Sequence, residues 1–594
     1  MAEIKDNMQL RLLLAFLGAA AGIAFYLLFK VLPEVIENAR LVMFMTGFLG
    51  AFSGGLLLLL GQLGLKRATG YALIIALVAS ILHLWASFRF AEIGGYMEAI
   101  HPVFAAFLLA HLPLPFALAN ETSPKKWRDY QGLFDNAWSL VVRALTAWTF
   151  VGLFWLVLLL SDQLLELVGF TYLGLVFDFG WIGLPLTGLV LGLALAVLNE
   201  MTSVVLTLRR LALQLLRLLL PLVAVVVALF IVLVPFRGLE NVFGSLSAAG
   251  TMLAMAAGAV TLITSAVDSH DEDAAQSRLM VTSAKVLSVL LPIIAAIAVY
   301  ALWLRVGQYG WTPARLFGLV VSIVVLAYAL AYAGAVLRRH TWRQNIRRAN
   351  TGMAVGVIAL SAIWLTPVLN VERISANSHL ARFVDGDIGV KDLDIWRLGK
   401  DWGQSGKSAL EELRDIIGHP EQEALEARLR RFDDGESRYV FEQSATTLQV
   451  EIDRKTLQEL LPVLPQASEM PASALAAIPD FVVTDLLLSC QSKLPDGAPG
   501  CVAAMGAFSH QSDAKDFVLF WRLGGVSKPK TATLEQDQQS GGYHFRQVVR
   551  SIGGDVEALP GEALIARIQR GDFTFAPARI NALEIGDIQI LPRD

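Results

Sequence analysis

Eleven apolar runs of bilayer length decide what this chain can fold into. They lie near 11–32, 41–61, 70–90, 99–119, 138–161, 181–199, 211–235, 247–267, 285–304, 314–337 and 351–369. A helix needs about 20 apolar residues to cross the hydrocarbon core, where no water satisfies backbone polar groups, so each run reads as a membrane helix. Composition agrees, with 55% hydrophobic and only 17% charged residues in 594, against about a quarter charged in soluble proteins. The first run follows a charged start, as a secretory signal does. Its apolar stretch, Leu12 to Leu32, is longer than a signal core and no small-x-small site follows, so a retained first span is expected.

The stretch DQLLELVGFTYLGLVFDFGW, 162–181, is apolar but interrupted by Asp162, Glu166 and Asp178. It reads as an interfacial or re-entrant segment; as a full span it would flip everything after it. Loop charges favour the first reading. With a cytoplasmic N-terminus, seventeen Lys and Arg fall on inner loops and helix ends, against six outside: Lys30, Arg40, Arg89, Arg237, Arg305 and Arg315. That is a positive-inside bias. Eleven spans then place the C-terminal tail outside. The expected location is the bacterial inner (cytoplasmic) membrane, multi-pass, with a periplasmic C-terminal domain.

From Val371 onward 24 Lys and Arg face 34 Asp and Glu, so the tail is acidic and the membrane half basic. An acidic tail argues against nucleic acid as a partner. The expected fold class is a membrane α-helical bundle of about eleven spans followed by a soluble α+β C-terminal domain. Its divisions are 1–370 (membrane), 371–436 (a helical neck) and 437–594 (α+β). In the last part YVFEQS, TLQVEID, FVVTDLLLS, FVLFWRL and YHFRQVV alternate like strands, with helical 558–570 between strands. Cys490 and Cys501 are the only cysteines. On an oxidising side, across a Pro- and Gly-rich linker, a structural disulfide is the first reading and free thiols the second.

Sequence motifs suggest little chemistry. GQSGKS, 403–408, lacks the first glycine of a phosphate loop, because Asp401 holds that place, and reads as a helix whose glycines permit close packing. VDSHDEDAAQSR, 267–278, reads as a solvated acidic loop. RVGQYGWTPAR, 305–315, is a short outer turn in which Tyr309 and Trp311 suit the headgroup belt. Arg305 and Arg315 run against the charge rule there, and are expected to anchor at the interface, bind lipid or dock acidic residues of the neck such as Asp385, Asp387, Asp392 or Asp394. Inside the spans His83 is the deepest titratable group. Glu98 and His101 are spaced to touch, and Arg143 sits about a turn into its span, where it can snorkel. Pro102, Pro113 and Pro115 can kink the fourth span and open a cavity. No catalytic set, cofactor site or metal site is expected.

At the junction of membrane and tail, Asn370, Arg373–Ala376, Arg382, Gly386, Asp394, Leu398–Gly399, Gly403, Gly406 and Ala409–Leu410 form a pattern. With the turn Tyr309–Gly310 through Thr312 to Arg315, it resembles a family of bacterial membrane proteins catalogued as domain of unknown function 4153. The resemblance implies a polytopic inner-membrane protein with a periplasmic C-terminal domain, and brings no activity. The first functional reading is a non-enzymatic envelope or assembly component whose periplasmic domain binds a periplasmic or membrane protein partner. The alternative is a transporter or lipid-handling protein with a bound lipid between its spans. A cavity lined by His83, Arg143 or the span-four prolines would favour the alternative. An enzyme is the third class, disfavoured by the missing constellation.

Overall fold

The structure, a computed structural model, describes residues 2–168, 181–237, 247–433, 441, 454–465, 470–494, 496–506, 515–522, 530–537, 541–546, 561–573, 583–585 and 588–590. The chain divides into two compact units, Met1–Leu429 and Arg430–Asp594.

The first unit is a helical membrane bundle with its neck. Helix α1 (Ala2–Tyr26) continues through a π-turn to Val35, and is followed by α2 (Ala39–Leu60), α3 (Leu65–Ser87) and the short α4 (Ile93–Glu98). The fourth span is broken into α5 (Ile100–His111) and α6 (Pro113–Thr122). The break falls at Leu112, because Pro113 has no N–H to continue the ladder. Then come α7 (Tyr130–Glu166), α8 (Gly183–Glu200), α9 (Thr202–Arg237), α10 (Ser247–Val267), α11 (Arg278–Tyr309), α12 (Pro313–Leu337) and α13 (Trp342–Trp364). Among the described residues ten helices are long and apolar enough to span, and α13 makes an eleventh that turns by 77° into the segment Pro367–Val384. The protein is a multi-pass membrane protein.

Helix pairing fixes how the chain winds. Gly18 of α1 abuts Gly188 of α8, Gly22 abuts Leu184, and Gly192 abuts Leu14, so α1 and α8 run antiparallel, backbone against backbone. Only glycine allows that approach in two facing small-residue repeats. Helices α7 and α8 are antiparallel too. Trp155 Nε1 donates to Thr187 Oγ1 at 3.0 Å, and Arg143 Nη1 to Asn199 Oδ1 at 2.7 Å. The chain therefore leaves α7 and enters α8 on one side of the bundle. Residues 169–180 of the interrupted stretch lie outside the described residues.

The neck follows the last span. Its helices are α14 (Val371–Val384), α15 (Ile395–Lys400), α16 (Gly403–Arg414) and α17 (Gln422–Asp433). Asn370 and Asp394 cap α14 and α15, accepting from the N–H groups of Arg373 at 3.0 Å and Arg397 at 3.3 Å. GQSGKS is the start of α16, and its glycines do pack closely. Gly403 has φ +59, and a Cβ there would lie 2.4 Å from the Arg89 carbonyl oxygen. Gln404 N donates to that oxygen at 2.8 Å, which seats α16 on the bundle.

In the second unit five strands form one sheet in sequence order: β1 (Val463–Leu464), β2 (Cys501–Gly506), β3 (Asp516–Trp521), β4 (Lys530–Gln536) and β5 (Tyr543–Arg546). The pair β1–β2 is parallel and the others antiparallel. Alternate residues face opposite ways. Cys501, Ala503, Phe517, Leu519, Trp521 and Leu534 pack with α19 (Asp480–Gln491) and α18 (Ala472–Ala477), while Val502 and Ala504 pack with α20 (Gly561–Gln569). A hairpin of β6 (Leu583–Ile585) and β7 (Ile588–Ile590) ends the described residues. FVVTDLLLS, expected as a strand, is helix α19. Val482, Val483, Leu486, Ser489 and Cys490 are its buried residues, a spacing of one helical face, and Pro479 starts the turn. YVFEQS and TLQVEID fall outside the described residues except Phe441. Cys490 and Cys501 are joined by a disulfide, with Cα atoms 4.9 Å apart, between α19 and β2.

Candidate functional site

Three features of the first unit gather polar groups or space. The first is a buried network where the neck meets the bundle. Arg89, just past the end of α3, donates from Nη2 to the carbonyl oxygens of Trp364 at 2.6 Å and Thr366 at 2.7 Å. The bend after α13 leaves the first of these without a helical partner, while Thr366 O also accepts from Leu369 N at 3.4 Å. Its Nη1 lies 3.4 Å from Glu372 Oε2, and the two side chains are 7% and 1% exposed. Trp364 Nε1 donates to His101 Nδ1 at 3.1 Å, so the proton of that neutral ring is on Nε2, which faces Glu372 Oε1 at 3.4 Å. Burial pushes the Glu372 carboxyl above its ordinary value, with Arg89 opposing. His101 therefore meets Glu372, while Glu98, the expected neighbour, is exposed at the end of α4.

His83 and Arg143 take structural partners. The Tyr96 hydroxyl is 2.8 Å from His83 Nδ1 and 3.1 Å from the His83 carbonyl oxygen, deep in an aromatic cluster with Phe90. Burial raises the Tyr96 phenol, which keeps its proton. Arg143 is buried against Asn199 rather than snorkelling.

The second feature is the turn between α11 and α12. Gly310 has φ +74, Thr312 caps α12 by accepting from Arg315 N at 3.3 Å, and Pro313 opens the helix. Arg315 does not reach the acidic residues of the neck. Its Nη1 donates to Gly310 O at 2.8 Å and Tyr309 O at 3.1 Å, and its guanidinium stacks 5.4 Å from the Tyr309 ring centre. The docking runs with opposite polarity: Arg382 of the neck donates from Nη2 to Gln308 O at 3.0 Å. Asp394 is used by Arg397, at 3.3 Å. Arg305 adds its charge beside Arg315.

His379 stands behind this turn, buried, its ring edge-on to Trp402 at 4.9 Å. Burial, together with the Arg382 and Arg315 charges against Asp394, lowers it to about 4. The ring is thus neutral in the folded protein at pH 7, while an unfolded histidine protonates near 6.5. A depressed histidine takes up its proton less readily when folded, so stability from this site is intact above about 6.5. It falls as pH drops from there to about 4, by about 3 kcal/mol at most. Limited proteolysis of the neck across that range should show it loosening, and His379→Gln should flatten the dependence. An identical pH profile for that variant would sink the assignment.

The third feature is a cavity of about 540 Å³ between α1, α2, α5, α7 and α8. Its walls include Ser53, Gly54, Phe107, His111, Trp148 and Thr187, of which His111 and Trp148 are at the middle of their spans and Thr187 is near the start of its own. The lining is mainly apolar, and glycines of α1, α2 and α8 make the room. His111 bonds the Phe107 carbonyl oxygen through Nδ1 at 2.8 Å, which leaves the lone pair on its other nitrogen. It precedes the Pro113 break by two residues, but the span-four prolines do not line the cavity, and neither do His83 and Arg143.

On the other face of the bundle the acidic loop 267–278 is solvated only in part, with Asp271, Glu272 and Asp273 exposed. Asp268 and Ser269 are buried. Arg217 pairs with Asp268, Arg347 donates to Val267 O at 2.7 Å and pairs with Asp271 at 2.9 Å, and Arg343 donates to Ala275 O at 2.8 Å. Among the described residues no three His, Cys, Asp or Glu side chains converge as metal ligands.

Sequence reasoning missed Arg89, Glu372, Arg382 and His379 as partners in these sites. One signal was present: Arg89 was expected on the outer side against the positive-inside bias, and such an arginine needs a buried partner or an interface. Many residues of the junction pattern prove to be contacts that seat the neck: the caps Asn370 and Asp394, Arg382, the close-packed Gly403 and Gly406, and the buried Ala376, Leu398 and Leu410. Comparison with curated proteins and with solved structures gives no match. The family described as Domain of unknown function (DUF4153) matches residues 56–413, more than half of the chain and including the turn and the neck up to α16, and the protein belongs to that family.

Proposed function

We propose that this protein is a lipid-handling or transport protein of the bacterial inner membrane that holds an acyl chain in the cavity beside Phe107 and His111. The observation that carries this is the cavity itself. Its volume of about 540 Å³ is in the usual range for ligand pockets, about 300–1,000 Å³. It runs between membrane spans and reaches their middle at His111 and Trp148, where the surrounding solvent is lipid tails. A broken helix at that depth is a common device for a binding site. The N-terminus is cytoplasmic and the C-terminal domain periplasmic in this proposal, supported by the loop-charge bias and by the Cys490–Cys501 disulfide.

Photo-crosslinking with a lipid bearing a diazirine on its acyl chain tests the site. Labelled peptides should include Phe107–His111, and Gly54→Trp should remove that label while sparing the fold. Nothing lies within 4 Å of a Cβ at Gly54, so the indole enters the cavity rather than a neighbouring backbone. Labelling elsewhere, or undiminished labelling in Gly54→Trp, would refute the reading.

The reading as an assembly component keeps one observation of its own. Phe481 and Leu488, two turns apart on α19, are about 60% exposed on a helix whose other face is core. A partner protein captured by this face, with the cavity unlabelled, would move that reading ahead.

A further inference from the structure

We propose that the turn between α11 and α12, together with the neck, forms a phosphate-binding site built from Arg315, Arg382 and Arg397. This goes beyond the acyl-chain cavity and uses different residues. Arg315 and Arg382 grip the same turn from two sides. The first bonds Gly310 O, and the second bonds Gln308 O while its Nη1 comes within 2.9 Å of where a Gly310 Cβ would stand. The charges of Arg397, Arg305 and Arg382 all bear on Arg315. Asp394 is the carboxylate among these groups, and it is paired with Arg397.

The guanidiniums also keep donors in reserve. The hydrogen bonds of Arg315 leave from Nη1, those of Arg382 from Nη2, and the contact of Arg397 from Nε. The other guanidinium nitrogens of all three carry N–H groups outside those contacts. Like charges held together at a half-buried surface repel, and an anion with several oxygens relieves that repulsion while accepting from more than one fork. A phosphate has the charge and the oxygens for this; a single carboxylate has fewer of both. Tyr309 and Trp303, more than half exposed beside the turn, mark the level where lipid headgroups lie. Phosphate of a lipid headgroup and free phosphate share the chemistry, and the test separates them.

The full chain in maltoside micelles, which contain no phosphate, is titrated with inorganic phosphate against chloride at equal ionic strength, and separately with phosphatidylglycerol. The readout is the shift in Tm and the concentration giving half of it. A shift with phosphatidylglycerol alone assigns a headgroup, and a shift with inorganic phosphate assigns the free ion. In either case Arg397→Gln should weaken the response about tenfold, as loss of one charge-assisted fork does. Arg397→Lys should restore part of it. The Arg397 side chain is 42% exposed, so its replacement keeps the fold where Arg382→Gln could fail. Gly54→Trp should leave the response to inorganic phosphate unchanged, and should leave any response to phosphatidylglycerol still dependent on Arg397, which separates this site from the cavity. No shift with either addition, or an equal response in Arg397→Gln, overturns the proposal.

Discussion

Gly18→Val is expected to cost about 3 kcal/mol or more of stability, at the upper end of overpacking penalties. A Cβ on Gly18 would stand 2.0 Å from the Gly188 carbonyl oxygen, and a Cβ on Gly188 the same distance from the Gly18 carbonyl oxygen. Both obstacles are backbone, so no rotamer change relieves them; α1 and α8 must move apart along their whole seam. That seam includes Gly22 against Leu184 and Gly192 against Leu14, at 2.2 Å each. In lipid the helices lose close packing with no hydrophobic gain to offset it. Gly188→Val should behave alike, and Gly54→Ala, facing open space, should change stability by no more than about 0.5 kcal/mol. Thermal unfolding in detergent reads all three. A Gly18→Val protein melting with the wild type would show that these helices do not cross as described.

Arg89→Ala should be the most damaging single change at the neck, by about 3–5 kcal/mol, because it leaves a buried carboxylate without its counter-charge. The same side chain satisfies the carbonyls of Trp364 and Thr366 at the 77° bend, so the neck should come loose and become protease-sensitive. Glu372→Gln should cost less, since an amide is cheaper to bury than an unpaired charge. The pH dependence distinguishes this from general unfolding. Burial already holds the Glu372 carboxyl above its ordinary value, and without Arg89 it rises further. A raised carboxyl contributes stability that is present at low pH and lost as pH climbs through the folded value. Arg89→Ala should therefore be partly rescued on acidification, with most recovery as Glu372 takes its proton. A variant equally unstable at all pH values would argue that Arg89 acts through its carbonyl contacts alone.

The membrane spans were legible because each is a local property. A run such as 314–337 must be helical in lipid whatever its neighbours do, and Pro313–Leu337 is. The Tyr309–Arg315 turn was legible for the same reason: a glycine at positive φ, a capping threonine and a proline lie within seven residues. The reading of FVVTDLLLS as a strand failed because a short apolar run fits either period until its packing partners are known. The acidic loop 267–278 was read correctly at its exposed Asp271–Asp273 stretch and wrongly at Asp268, because the arginines that bury that end come from α9 and α13, 51 to 80 residues away in sequence.

By itself the sequence determined that this is a multi-pass helical membrane protein with a separate α+β region, roughly where its spans lie, and which loops carry its positive charge. Only the tertiary structure decided which polar groups meet. Arg89 and Glu372 are 283 residues apart, His101 and Trp364 are 263 apart, and Gly18 faces Gly188 across four intervening spans. Burial and hydrogen-bonding demand are written in each residue, but the partner that satisfies them is set by how helices pack, and spacing along the chain carries no record of that.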